Sequence, residues 1–560
     1  MKVYDKYKSL ASVLILTAAA HGMVGCSDTW DDHYDAAGSN GTSTLLQLVE
    51  DNPQLSDFRT LLGMTHIYRN HRTPVTYADL LDGDQSLTVW APVNGTFNFD
   101  SLRNVCQTAE GDSTVGQHFV QNHIARNLYN MNSQTSEEVK MLNDKFLPLS
   151  STALYNATVE AGHYNLPAKN GLLHVVDKDA AYTYNIYEGL TSMDEFKHLG
   201  KFLFAYEKQE LDENSSIVAG IEDGKKVYSD SVMIKRNELF RTLGEIMSED
   251  STYAMIVPDN AAWQKAYSEA RQYFNFAGVE KGDSISEYWT NVSLMGDLIF
   301  NRNVQKNEQD SIITTSYSFI DWPYHVYYKP YEPGGLMDKA NIKDSLLCSN
   351  GYIYRLRQWP FTAKELYFHP ITTQGEWESN RKEYTYCTFN NRAAIGDTIS
   401  GNAYVDIVAQ NNRDWTVTYE INNTLSGTYN IYAVILPKTV YLANSRDFKP
   451  NKFYASISYI DEQGEKQTVP FGDANNTFSN DPYRADSVLI GQCTLPVCNY
   501  QQPDATVTVT LNCSVRTNEA ARYSREMFLD CIYFEPVIAT VDDDNTAAAT
   551  EAKRRKEARK

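Results

Sequence analysis

The sequence predicts a multidomain α+β protein in which two related mixed domains stand in tandem before an antiparallel β-sandwich or jelly roll. Three observations predict it. An ordered set of short segments occurs once in residues 44–184 and again, with insertions, in 185–362. After Pro360 the pattern changes to short β-branched and aromatic runs separated by Asn, Asp and Gly, which is how the strands of a sandwich are written. Finally, 560 residues with 42% hydrophobic and 22% charged composition are enough for several ordinary globular cores.

The N-terminus comes first. Lys2, Lys6 and Lys8 precede an apolar run from Leu10 to Ala20, and small residues then lead into Cys26. That order predicts a signal peptide over residues 1–25. The run is shorter than the roughly 20 apolar residues of a permanent span. Met23-Val24-Gly25-Cys26 resembles a lipobox, which implies acylation of Cys26 and membrane lipid as its first partner; each buried CH₂ of an acyl chain contributes about 0.8 kcal/mol. Residues 26–43, acidic from Asp28 to Asp35 and then Gly/Ser/Asn-rich, read as a flexible tether. An acidic stretch after such a cysteine is similar to the export signal of Bacteroidota surface lipoproteins, and the resemblance implies the outer face of the outer membrane.

Charge and cysteine usage set limits. The formal net charge of −21 argues against a nucleic-acid partner, because phosphate binding needs clustered Lys and Arg. With Cys26 set aside, seven cysteines remain, an odd number in a chain too large to need staples. Cys513 shares a strand face with Val507, Val509, Leu511 and Val515, so a buried thiol is expected. Cys493 and Cys498 could close a small loop or stay unpaired.

In the first repeat, Leu45, Leu46, Leu48, Val49, Leu55 and Phe58 recur on one helix face, with a break at Pro53. Leu87 to Asn94 reads as a strand ending in a Pro-containing turn, Phe119 to Ala125 as a helix-to-strand segment, and Asn170 to Asp177 as a turn opening into an alternating strand. Tyr253 to Trp263, Leu298 to Asn303 and Ser349 to Leu356 repeat these three segments in order. Between Pro92 and Asn170 lie 78 positions, and between Pro258 and Asn350 lie 92. The segments LTVWAPVNGTF, VQNHIA and KNGLLHVVD resemble the hallmarks of the fasciclin domain. The resemblance implies structural roles for Trp90, Pro92, Asn94, His123, Asn170, Gly171, His174 and Asp177, and for Pro258, Asn260, Asn350 and Gly351 in the second copy. There His123 becomes Arg302 and His174 becomes Tyr354, which removes any function that needs both histidines.

Within 376–540, at least seven strands are expected, among them Tyr384 to Phe389, Thr416 to Ile421, Thr428 to Leu436 and Met527 to Phe534. Ser426 to Val434 and Phe528 to Phe534 resemble inner strands of the galactose-binding-like jelly rolls of carbohydrate-binding modules. Residues 541–560, three Asp and an Ala run ahead of a Lys/Arg cluster, read as a solvated, disordered tail.

Catalytic signatures are absent: there is no His-Glu-x-x-His, Gly-x-Ser-x-Gly, Walker loop or Gly-x-Gly-x-x-Gly. His123 and His174 are expected to hold the fold through ring hydrogen bonds, because the motifs supply no further metal ligands. The loop containing Asp473, Asn475, Asn476, Asn480 and Asp481 is rich in oxygen ligands and could hold Ca²⁺ or meet sugar hydroxyls; turn propensity accounts for it equally. The expectation is a non-catalytic surface binding or adhesion protein, with a glycan or protein ligand on the sandwich. Its layout resembles accessory partners of TonB-dependent glycan importers. A glycan hydrolase with its site in the sandwich and a purely structural envelope adhesin are the alternatives.

Overall fold

The computed structural model describes residues 41–68, 72–213, 216–222, 224–301, 310–315, 325–393 and 399–538. The signal peptide, Cys26, the tether up to Asn40, Arg302, Asn303 and the charged tail lie outside the described residues. The chain divides into two compact units: the first repeat groups with 207–236 and 248–250, and the rest of the second repeat groups with the sandwich.

In the first repeat, helix α1 (Leu45–Glu50) begins at a capping box, in which Thr44 accepts from the Gln47 amide and donates its own to the Gln47 side chain. Pro53 breaks the chain before α2 (Ser56–Met64). Leu45, Val49, Leu55 and Phe58 of the expected face are buried, while Leu46 and Leu48 are only partly covered at its edges. Strand β1 (Leu87–Pro92) runs parallel to β4 (Gly171–Val176), in register from Leu87 opposite Gly171 to Pro92 opposite Val176. β2 (Ile124–Arg126) flanks β1 and β3 (Leu166–Ala168) flanks β4, both antiparallel. The alternation expected along β4 is corrected by its burial. Every residue from Gly171 to Val176 is buried, because a central strand covered on both faces has no wet side.

The second repeat, after α3 (Ile186–Ser192) and α4 (Lys197–Phe204), builds the same four strands and adds two. These are β5 (Tyr253–Pro258), β6 (Ile299–Asn301), β7 (Ser311–Thr314), β8 (Val326–Tyr328), β9 (Ile342–Cys348) and β10 (Gly351–Leu356), in sheet order β8-β7-β6-β5-β10-β9. β5 is parallel to β10 from Tyr253 opposite Gly351 to Pro258 opposite Leu356. That register reproduces the first repeat's pairing residue for residue, so the repetition seen in sequence is a repetition of topology.

The C-terminal region is an antiparallel sandwich. One sheet holds β13 (Cys387–Ala393), β14 (Ala403–Ala409), β22 (Met527–Val537), β16 (Gly427–Leu436) and β20 (Asp486–Leu495) in that order, with β11 (Ile371–Gln374) also on β22. The other holds β12 (Arg381–Thr385), β15 (Thr416–Ile421), β21 (Val507–Cys513), β17 (Lys452–Ile460) and β18 (Lys466–Phe471), with the short β19 (Phe478–Ser479) on β17. The single strand expected from Tyr384 to Phe389 is two. Tyr386 takes φ 55°, and this left-handed residue sends β12 and β13 into different sheets. Tyr419, Tyr429, Ile431, Val509 and Leu511 fill the interior at 1% exposure or less.

That interior is continuous with the core of the second repeat. The Tyr429 ring packs 5.1 Å from Phe368, and Phe368 packs 4.6 Å from Tyr273. Backbone bonds run from Ser426 to the Tyr273 carbonyl and from Cys498 to that of Asn275, at 2.9 and 2.7 Å.

Candidate functional site

The repeat motifs hold their domains together. Asn170 accepts from the Leu45 amide at 2.8 Å and donates to the carbonyls of Leu81 and Gly83. Its counterpart Asn350 accepts from the Ile186 amide at 2.9 Å and donates to the Ile246 carbonyl. Asn94 takes the Asp57 amide and donates to the Pro53 carbonyl, while Asn260 takes the His198 amide and donates to the Asp194 carbonyl. Pro92 and Pro258 close the two parallel pairings. Gly171 and Gly351 are required by contact: a Cβ would stand 1.9 Å from the Leu87 carbonyl oxygen in one and 1.8 Å from that of Tyr253 in the other.

The two histidines spend both ring nitrogens on backbone. His123 donates from Nδ1 to the Phe119 carbonyl at 2.7 Å and accepts the Ala180 amide on Nε2 at 2.9 Å. His174 accepts the Asn165 amide on Nδ1 at 3.2 Å, donates from Nε2 to the Tyr129 carbonyl at 3.0 Å, and stacks on Trp90 with centroids 5.3 Å apart. Burial pushes each pKa down to about 4, so both rings are neutral at physiological pH. Asp177 ties β4 to the Thr158 amide.

The Asp473 loop turns in on itself and its neighbours. Asp473 Oδ1 accepts the amides of Asn475 and Asn476, Asn475 Oδ1 accepts from Arg516, and Asn480 Oδ1 accepts the Asn451 amide at 2.7 Å. Asp481 accepts the Tyr483 amide and pairs with Arg484. Each of these oxygens holds a protein donor.

A different set of oxygens in the same sandwich lacks such donors. Gln374 Oε1, Glu376 Oε2 and Asp530 Oδ1 are buried without a hydrogen-bond partner. The other ends of these side chains meet Ser400 and Gly401: the Ser400 amide donates to Asp530 Oδ2 at 3.3 Å, its hydroxyl accepts from Gln374 Nε2 at 2.6 Å, and a Cβ on Gly401 would meet Glu376 Oε1. Burial raises the pKa of Asp530 to about 6, and burial likewise raises that of Glu376. Among the described residues no group of three His, Cys, Asp or Glu is placed to hold a metal. Two carboxylates and an amide oxygen are the donor types a hard oxygen-seeking cation such as Ca²⁺ takes.

The sheet containing β16 and β22 presents the most ligand-like surface. Alternation buries Tyr429, Ile431 and Ala433 and turns Thr428, Asn430 and Tyr432 outward. Across the strand pairing, Tyr432 faces Tyr533 and Asn430 faces Glu535. The tyrosine centroids are 6.1 Å apart at 46°. Tyr432 donates its hydroxyl to Glu535 at 3.0 Å, Asn430 Nδ2 donates to the same oxygen at 3.4 Å, and Gln492 Nε2 donates to Asn430 Oδ1 at 2.8 Å. On the next strand Leu489, opposite Tyr432, is 50% exposed. Desolvation and the adjacent Glu535 raise the phenol pKa of both tyrosines, keeping them neutral. The result is a half-buried aromatic platform with hydrogen-bonding groups beside it.

No family model and no curated protein matches the chain. Solved structures do match. The chain is similar to a Podospora anserina GH26-CBM35 β-(1,4)-mannanase at 14% identity, covering 31% of this chain and 29% of that one, TM-score 0.18. It is similar to the CBM22-1–GH10 modules of a Clostridium thermocellum xylanase complexed with xylohexaose at 11% identity, covering 30% and 29%, TM-score 0.20. A xylan-binding domain from CBM22 matches at 11% identity, covering 31% of this chain and 97% of that one, TM-score 0.19. The chain thus spans less than a third of the first two. At such scores the sandwich stands on its own strand pairing.

Proposed function

We propose that this protein is a lipid-anchored surface protein whose C-terminal sandwich binds glycan without cleaving it. The platform of Tyr432 and Tyr533 with Glu535 and Asn430 carries the reading, because sugars present apolar C–H faces to aromatic rings and hydroxyls to flanking polar groups. In this reading Ca²⁺ sits among Gln374, Glu376 and Asp530, stiffening the sandwich where β11 and β14 meet β22. The two repeats are fasciclin-like domains serving as spacer and partner surface, and Cys26 carries the acyl anchor at the outer membrane of a Bacteroidota cell. A TonB-dependent glycan importer is the partner proposed for the assembly. In support, no helix among the described residues is long and apolar enough to cross a membrane, while the N-terminal sequence has the lipobox-like cysteine.

The test is affinity electrophoresis of the full chain in gels containing single polysaccharides, with reducing-sugar release measured in parallel. Retardation without release, lost in Tyr432→Ala/Tyr533→Ala, is the expected result. Release of reducing ends abolished by one carboxylate substitution would replace this reading with a hydrolase. Binding to whole cells but to no polysaccharide would replace it with an adhesin.

A further inference from the structure

The charge at the centre of the platform points to a ligand class. Tyr432 and Asn430 both spend donors on Glu535, and Gln492 spends one on Asn430. Thr428 and Thr494 bond each other at 2.8 Å. What remains for a ligand is the carboxylate of Glu535 beside the two aromatic faces, together with the Tyr533 hydroxyl and the second amide hydrogens of Asn430 and Gln492. None of these residues is cationic, and Glu535 puts a full negative charge at the centre. A carboxylate or sulfate brings only acceptors and a like charge, whereas a sugar hydroxyl brings a donor.

Resting on the glycan reading of this same face, we infer that Glu535 makes the platform select uncharged, hydroxyl-rich glycans and reject polyanionic ones such as polyuronates and sulfated chains. The overall charge of −21 repels polyanions everywhere on the molecule, so the local contribution is read from variants. Glu535→Gln keeps an acceptor for Tyr432 while removing one charge. Leu489→Lys adds a cation at an exposed position of the same face, where folding is not at stake.

The experiment runs the full chain and both variants in gels containing matched polymer pairs, neutral and carboxymethylated, on glucan, xylan and mannan backbones. The wild type is expected to be retarded by at least one neutral polymer and much less by its carboxymethylated partner. That gap should narrow about fivefold in Glu535→Gln, the scale of one like-charge contact near a wet surface, and further in Leu489→Lys. A gap unchanged in both variants, or equal wild-type binding of both partners, overturns the inference and leaves glycan binding in place. Retardation by no polymer of either kind overturns both.

Discussion

Tyr432 on β16 hands its phenolic hydrogen to Glu535 on β22 across 3.0 Å, fixing one ring of the half-buried pair. The bond reduces the rotamer freedom the ring would otherwise lose on meeting a ligand, and such ordering is a large part of what weakens binding. Tyr432→Phe keeps the ring and loses the bond. A drop in affinity of about two- to fivefold is expected by titration calorimetry, against at least about tenfold for Tyr432→Ala.

Asn350 and Gly351 should matter beyond their own domain. Asn170-Gly171→Val-Val is expected to unfold the first repeat and spare the sandwich, as limited proteolysis read by mass spectrometry would show. Asn350-Gly351→Val-Val is expected to bring down the second repeat and the sandwich together, since they share one core. Equal loss of both regions in the first variant would refute their independence.

The buried histidines set an acid limit. With folded-state pKa values near 4 against 6.5 for a free ring, the unfolded chain takes up protons first as pH falls. Stability from these rings is therefore complete above pH 6.5 and drains as pH drops towards 4, costing up to about 3 kcal/mol per ring. Urea midpoints of residues 41–185 labelled for fluorescence should fall across that window, and a His123→Gln/His174→Gln chain should lose most of the slope.

Calcium should stabilise the sandwich. Raising the free ion to about a hundred times its Kd adds about 2.7 kcal/mol to whichever fold binds it. Calorimetry should show an upward melting shift with Ca²⁺, reversed by chelation and absent in Asp530→Asn, while replacing Asp473 with Asn should leave it intact.

The described thiols should be silent. Cys106, Cys348, Cys387, Cys493, Cys498, Cys513 and Cys531 are buried thiols outside any disulfide; burial pushes Cys498, Cys513 and Cys531 up to about 12. A thiolate reagent at pH 8 should label none of these seven until denaturant is added. The small loop that Cys493 and Cys498 could have closed is not closed.

Local signals carried far into the structure where they encode backbone geometry. Asn170-Gly171 and Asn350-Gly351 announce a turn and a close strand approach, and both occur as the repeat required. Thr416 to Ile421 is a strand to the residue, because alternation is clean there. Tyr386 was not legible, since a left-handed tyrosine has no local cue. The platform was hidden for another reason: Ser426 to Val434 reads as an inner strand from its apolar half, and the polar half, Asn430 and Tyr432, gains meaning only once β22 brings Glu535 alongside. Gln374 and Asp530 are likewise far apart in sequence, joined only by sheet pairing.

The most direct test is oxidative footprinting of the full chain with and without the neutral polymer that retards it. Shielding of Tyr432 and Tyr533, with Tyr483, 71% exposed on the loop before β20, modified as before, is the predicted result. Unchanged modification of Tyr432 and Tyr533 under saturating polymer would contradict the assignment of the β16–β22 face.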